Sequence, residues 1–150
     1  MHRRAFCSLV VFAALTAAST LLTAQAGAAR TFQARLSTVP IDLTMASTIA
    51  GSGSVTGTLK GRTLVLAGKF TGLKTPATVA RLHRSPTRGM RGDAIFDLTV
   101  NATGTSGELS GTLELSAAQV EDLEKGRLYV QLHSEKAPDG NLWGWLLGKT

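Results

Sequence analysis

Downstream of residue 30, apolar and polar residues alternate in short runs, and glycine, proline or asparagine punctuates the gaps between them. Successive side chains of an extended chain point to opposite faces, so each run reads as a strand with one buried side. The runs fall near 31–38, 52–60, 62–70, 78–84, 93–100, 105–115, 126–134 and 141–148. Lys60-Gly61 and Asn101 to Gly104 look like turns, and Ala137-Pro138-Asp139-Gly140 looks like the turn of a hairpin. Glycines within 52–58 and 106–111 predict bulges or edge positions. One segment has a helical signature, Ser116 to Lys125. Ser116 and Gln119 form a capping-box pattern, Val120 and Leu123 supply a buried stripe, and Gly126 ends it. Thr44 to Gly53 predicts a long loop with an optional short helix near Met45. About eight short strands with close turns and one short helix predict an all-β fold, an antiparallel β-sandwich.

The alternation also sorts the polar side chains. In the run at 128–134, Leu128, Val130 and Leu132 share one face, and Tyr129, Gln131 and His133 share the other. Upstream, Ala80 and Leu82 point one way while Arg81 and His83 point the other. Two strands thus each carry a histidine on the polar face. Imidazoles projecting from neighbouring strands can hold copper or zinc, which makes His83 and His133 candidate metal ligands. The competing reading is a hydrogen-bonded cluster of His83, Gln131, His133 and Asn141. No resident cofactor is expected beyond that copper or zinc option. Trp143 and Trp145 lie on one face, either covering the core or forming an aromatic ledge for a glycan or a protein.

These residues carry a family resemblance. Ala80, Leu82 and His83, followed by Gly89, Gly92 and Ile95-Phe96-Asp97-Leu98, resemble the CHRD domain, a repeat described in chordin and found in exported bacterial proteins. The later family signature is matched by Leu128-Tyr129-Val130-Gln131-Leu132-His133-Ser134 and by Pro138-Asp139-Gly140-Asn141-Leu142-Trp143-Gly144. Phe32, Ala34 and Leu36 followed by Val39-Pro40 resemble its opening strand. The resemblance covers about residues 31 to 147 and implies an immunoglobulin-like or superoxide-dismutase-like architecture. Its His-x-His, later His and Glu would supply four ligand-type residues. Here Arg81 stands at the first histidine and Asn141 at the glutamate, which leaves two.

Composition and charge narrow the partners. His2-Arg3-Arg4, an uncharged run from Ala5 to Leu22 and small residues around Ala26 and Ala28 predict a signal peptide over 1–28 and a domain over 29–150. The one cysteine, Cys7, falls in the leader, so the exported domain is expected to fold without disulfides. Removing Arg3 and Arg4 from the sixteen basic residues leaves fourteen against ten acidic ones, a net charge of +4. Arg81, Arg84, Arg88 and Arg91 cluster around His83, yet lack the interleaved aromatics that stack on bases. Nucleic acid is therefore not an expected partner. An extracytoplasmic protein or glycan is, with no transmembrane segment after leader removal and a secreted or periplasmic location.

Catalytic constellations are weak. His133, Ser134 and Asp139 have the right types, but neighbours on a strand face opposite ways. No Gly-x-Ser-x-Gly elbow occurs, Asp93 and Asp97 lack a partner acid, and Glu121, Asp122 and Glu124 read as the helix's solvated side. Arg91-Gly92-Asp93 matches an integrin-type tripeptide, a match too short to carry weight. The expected function is a non-catalytic binding or scaffold module. Arg81, His83, Tyr129, Gln131, His133, Asn141, Trp143 and Trp145 are the candidate contact residues. The alternatives are weak copper or zinc handling and, disfavoured, an unrecognised enzyme.

Overall fold

The computed structural model of the chain describes residues 27–149, so the expected leader, Cys7 included, lies outside the described residues up to position 26. The alternating runs become β1 (Arg30–Thr38), β2 (Ser52–Lys60), β3 (Thr63–Thr71), β4 (Ala77–Arg84), β5 (Asp93–Thr103), β6 (Ser106–Glu114), β7 (Leu128–Ser134), β8 (Ala137–Trp145) and a short β9 (Leu147–Gly148), with helix α1 (Ala117–Glu124) before β7. Every pairing is antiparallel. The ladder runs β2-β3-β6-β5-β4-β7-β8-β1 and then returns to β2, while β9 adds to β1. Three consecutive strands, β4, β5 and β6, are followed by β7 returning beside β4, a Greek-key path.

The expected sandwich is corrected to a closed eight-strand barrel. Two strands cause the closure by changing partner along their length. Residues 30–36 of β1 pair with β2, whereas Ser37 and Thr38 pair with β8. Residues 93–98 of β5 face β4, whereas Thr99–Thr103 pair with β6. These are corner strands, which bend from one layer into the other and leave no open edge among the eight.

Inside the barrel, the apolar faces meet. Leu36, Leu64, Leu82, Leu128, Leu132 and Leu142 are fully buried. Each such leucine contributes roughly 1.5–3 kcal/mol relative to exposure. Gly53, Gly57, Gly107 and Gly111 were expected at bulges or edges, but they stand in unbroken register. They make room inside: a Cβ on Gly57 would press against Leu66 and Leu64 at 3.0 and 3.2 Å. The irregularities lie instead between Ala77 and Ala80, between Leu82 and His83, and between Leu132 and Ser134.

Turn positions shift in an informative way. Lys60 pairs with Thr63, which puts the turn at Gly61-Arg62. Thr103 pairs with Ser106, so the next turn is Gly104-Thr105. The β7–β8 turn is Glu135-Lys136, not Ala137 to Gly140, because Ser134 already pairs with Ala137. Helix α1 has the expected capping box, with Gln119 N–H donating to Ser116 Oγ at 3.2 Å and Ser116 N–H to Gln119 Oε1 at 2.8 Å. Asp122 departs from its expected solvated setting. It is buried, and its carboxylate receives Arg84 Nε at 2.5 Å and lies 3.5 Å from Arg127 Nη1. No helix among the described residues is long and apolar enough to cross a membrane.

Candidate functional site

Sheet faces turned away from a barrel interior are normally wet, yet every residue of β7 is buried. Two loops cover its outer face. Residues 39–51 are anchored by Val39 N–H donating to Asn141 O at 3.0 Å, and Val39, Ile49, Met45 and Ala137 pack with Trp143 in a small second cluster. That loop is a series of turns, not a helix; Asp42 Oδ1 accepts from Thr44 N–H at 2.8 Å and Met45 N–H at 3.1 Å. Residues 85–92 form the other cover. Gly92 O accepts from Tyr129 Oη at 3.2 Å and faces His83 Nδ1 at 2.9 Å, while Gly92 N–H donates to Tyr129 Oη at 3.0 Å.

Register explains which side chains meet beneath these covers. Across β4, β7 and β8, His83 stands opposite Tyr129 and Tyr129 opposite Trp145; Arg81 stands opposite Gln131 and Gln131 opposite Trp143. The rings form one assembly. His83 stacks on Tyr129 with centroids 4.9 Å apart, Tyr129 lies 4.6 Å from Trp145 and 5.7 Å from Trp143, and the two tryptophans meet edge-on at 5.9 Å. The tryptophans thus settle between the two expected roles: they are half-buried on the outer face, against Tyr129 and the 39–51 loop.

His83 and His133 lie on adjacent strands, with ring centroids 6.4 Å apart. His133 sits where the β7–β8 register breaks, and bulges commonly re-aim side chains beside functional sites. There β7 side chains take up carbonyls that the ladder leaves open. His133 Nδ1 lies 2.7 Å from Pro138 O, and Gln131 Nε2 donates to Asp139 O at 2.9 Å, joined by Arg91 Nη1 at 2.7 Å. Gly140 permits this arrangement, since its φ of 125° suits glycine and a Cβ would stand 2.5 Å from Gln131 Nε2.

A carbonyl can only accept, so each Nδ1 carries the proton of a neutral ring and each Nε2 keeps a lone pair. Both Nε2 atoms are buried without a partner, as are Gln131 Oε1 and both amide atoms of Asn141. Burial pushes both imidazole pKa values down; the Gly92 and Pro138 carbonyls oppose it, the charges of Arg81 and Arg91 reinforce it, and Asp93 counters them at His83. The folded state therefore prefers neutral rings. The contribution of the two rings to stability is complete above the unfolded histidine value of about 6.5 and is lost as pH falls through that value toward the depressed folded ones. In chelator-treated protein, the melting temperature is expected to be lower at pH 5 than at pH 7.5. Replacing both histidines with glutamine should shrink that difference, and an undiminished difference would assign it to carboxylates instead.

The remaining candidates disperse. Arg81 pairs with Asp97 at 2.9 Å and Arg84 with Asp122, so the basic cluster is divided among separate partners. His133 uses the Pro138 carbonyl and makes no hydrogen bond to Asp139 or Ser134, so the Ser-His-Asp possibility is not assembled. Among the described residues no three His, Cys, Asp or Glu side chains come together as a metal cluster. A depression of about 500 Å³ lies away from the histidines, on the outer face of β2, β3 and β6, lined by Ser54, Thr56, Lys69, Glu108 and Ser110. The Asp122–Arg84 pair and the burying loops had no sequence signal beyond the Ser85-Pro86 and Val39-Pro40 breaks.

Compared with known proteins, the chain matches one family model, the CHRD domain, over residues 13–146. Among curated proteins and among solved structures, nothing matches.

Proposed function

The chain belongs to the CHRD domain family, and from that membership we propose that it is an exported, non-catalytic binding or scaffold module with an extracytoplasmic protein or glycan as partner. One observation supports the location of the binding face. The 39–51 loop, held against Trp143, exposes Ile41 at 45% and Leu43 at 96%, next to an aromatic group of which the tryptophans are half open. Apolar side chains rimmed by polar ones are typical of contact surfaces, where aromatic anchors carry most of the energy.

Leu43→Asp and Trp143→Ala test the surface. Leu43→Asp is expected to change stability by less than about 0.5 kcal/mol, as for other exposed positions. Tryptophan fluorescence during titration with a panel of cell-surface glycans, and crosslinking within the exported fraction, should show a partner with the parent chain. Both variants should lose it. Equal capture by the parent and Leu43→Asp would move the binding face elsewhere.

The unpartnered Nε2 atoms favour a second reading, copper or zinc handling at His83 and His133. Two neutral imidazoles fit a weakly held divalent ion and fall short of the four ligands of a closed zinc site. Arg81 and Asn141 occupy the positions where the family resemblance implies further ligands. Arg81→His with Asn141→Glu is expected to strengthen zinc and copper(II) binding at least ten-fold, about 1.4 kcal/mol. Calorimetric titration of both proteins checks this. Negligible binding by both would leave the histidines structural.

A further inference from the structure

Unpartnered buried polar atoms are rare in folded proteins, and each one calls for an occupant or a reason. Among the described residues six such side-chain atoms occur, and five belong to His83, Gln131, His133 and Asn141. Their concentration under one pair of loops points to something bound between them. We propose that His83 Nε2 and His133 Nε2 form a two-coordinate site for a soft monovalent cation, copper in its +1 state, in preference to zinc or copper(II). The proposal rests on the metal-handling reading above and adds the identity and charge of the ion.

Three features carry it. First, each ring is already oriented. Nδ1 faces a backbone carbonyl, Gly92 O or Pro138 O, and this outer hydrogen bond is the arrangement that fixes metal-binding imidazoles with Nε2 presented. Second, the spacing admits one ion shared by both rings. Two metal–nitrogen bonds of about 2 Å plus two ring radii span about 6 Å when collinear and about 5 Å at a tetrahedral angle. The observed centroid separation is 6.4 Å with the ring planes 30° apart, a spacing that one bridging ion can span. Third, the charge balance disfavours a divalent ion. The donors are neutral nitrogens and amide oxygens, and no carboxylate joins them within the described residues. Arg91, whose guanidinium stands on the Asp139 carbonyl beside Gln131, repels an ion of twice the charge twice as strongly, while Arg81 is matched by Asp97 and Asp93 partly offsets the cations at His83. Zinc, which seeks four ligands and is best served by anionic ones, gains little here. Monovalent copper is satisfied by two neutral imidazoles.

The test uses the purified full chain, stripped of metal and titrated under ascorbate with copper(I) in competition with a chromogenic copper(I) chelator. Silver(I) serves as a redox-inert monovalent probe, and zinc and copper(II) are titrated in parallel. One copper(I) per chain is expected, bound at least 100-fold more tightly than zinc. The ¹⁵Nε2 resonances of His83 and His133 should move together on adding silver(I). His83→Gln and His133→Gln should each lose at least 100-fold in copper(I) affinity while keeping the parent's circular dichroism. If a variant fails to fold, the resonances of the parent chain decide alone. Zinc or copper(II) binding as tightly as copper(I) would overturn the monovalent preference while the metal-handling reading survived. If no metal moves the Nε2 resonances, both fall, and the unpartnered atoms are then served by ordered water only.

Discussion

Gly92→Ala is expected to destabilise the domain by about 2–3 kcal/mol, through overpacking and the loss of buried hydrogen bonds. A Cβ at this position would overlap the Arg84 carbonyl oxygen and come within 2.7 Å of Ser85 Cα. The strand end and the 85–92 loop cannot both keep their places. Gly92 also supplies the N–H and carbonyl that hold Tyr129, and the carbonyl that faces His83. The damage should therefore begin at the outer face of β7. Thermal unfolding gives the total loss, and hydrogen exchange should show the amides of 85–92 released first. A melting temperature within one degree of the parent would show that the loop relaxes freely and that its contact with Tyr129 is incidental.

Leu132→Ala is expected to cost about 2–5 kcal/mol, the range for deleting a buried leucine from a close-packed core. Leu132 is fully buried on β7, opposite Ala80 of β4 and Leu142 of β8, so three neighbouring strands line the resulting void. The loss should be global. Denaturant unfolding should show a lower midpoint with an unchanged slope, and exchange should accelerate across β4, β7 and β8 together. The contrast with Gly92→Ala separates what holds the barrel from what holds its cover. Loss confined to the 85–92 loop in the leucine variant would contradict this division.

Much of this was legible in the chain, and the failures have definite causes. The parity of Arg81 and His83 against Ala80 and Leu82 survives because alternation is a local property of extended backbone. The capping box of Ser116 and Gln119 is equally local. The β7–β8 turn was misplaced because Pro138, Asp139 and Gly140 are turn formers by composition. Their backbone is instead held by His133, Gln131 and Arg91, and a side chain accepting a ladder's duties leaves no periodic trace. Barrel closure depends on β1 and β5 each serving two partners, which no run of alternating residues can announce. Asp122 looked solvated beside Glu121 and Glu124. Its burial is decided by Arg84, 38 positions upstream on strand β4.

The histidine pair was visible as two residues of matching parity, but its most telling property was not. That each ring spends Nδ1 on a carbonyl and withholds Nε2 depends on where the ladder is irregular, at Leu82/His83 and Leu132/Ser134. Composition speaks to which groups are available; only register shows which atom is left over.

The join between β1 and β8 has a consequence for association. It consists of two register pairs, Ser37 with Trp143 and Thr38 with Leu142, extended by the Val39–Asn141 hydrogen bond. Next to it, a Cβ on Gly144 would stand 2.5 Å from the Arg35 carbonyl oxygen, so the backbones nearly touch where the ladder is shortest. A ring of strands offers no template for another chain to extend, and this short clasp is where the ring would first present one. The same two pairs that complete the fold therefore also withhold the facing edges of β1 and β8 from strand exchange with another copy.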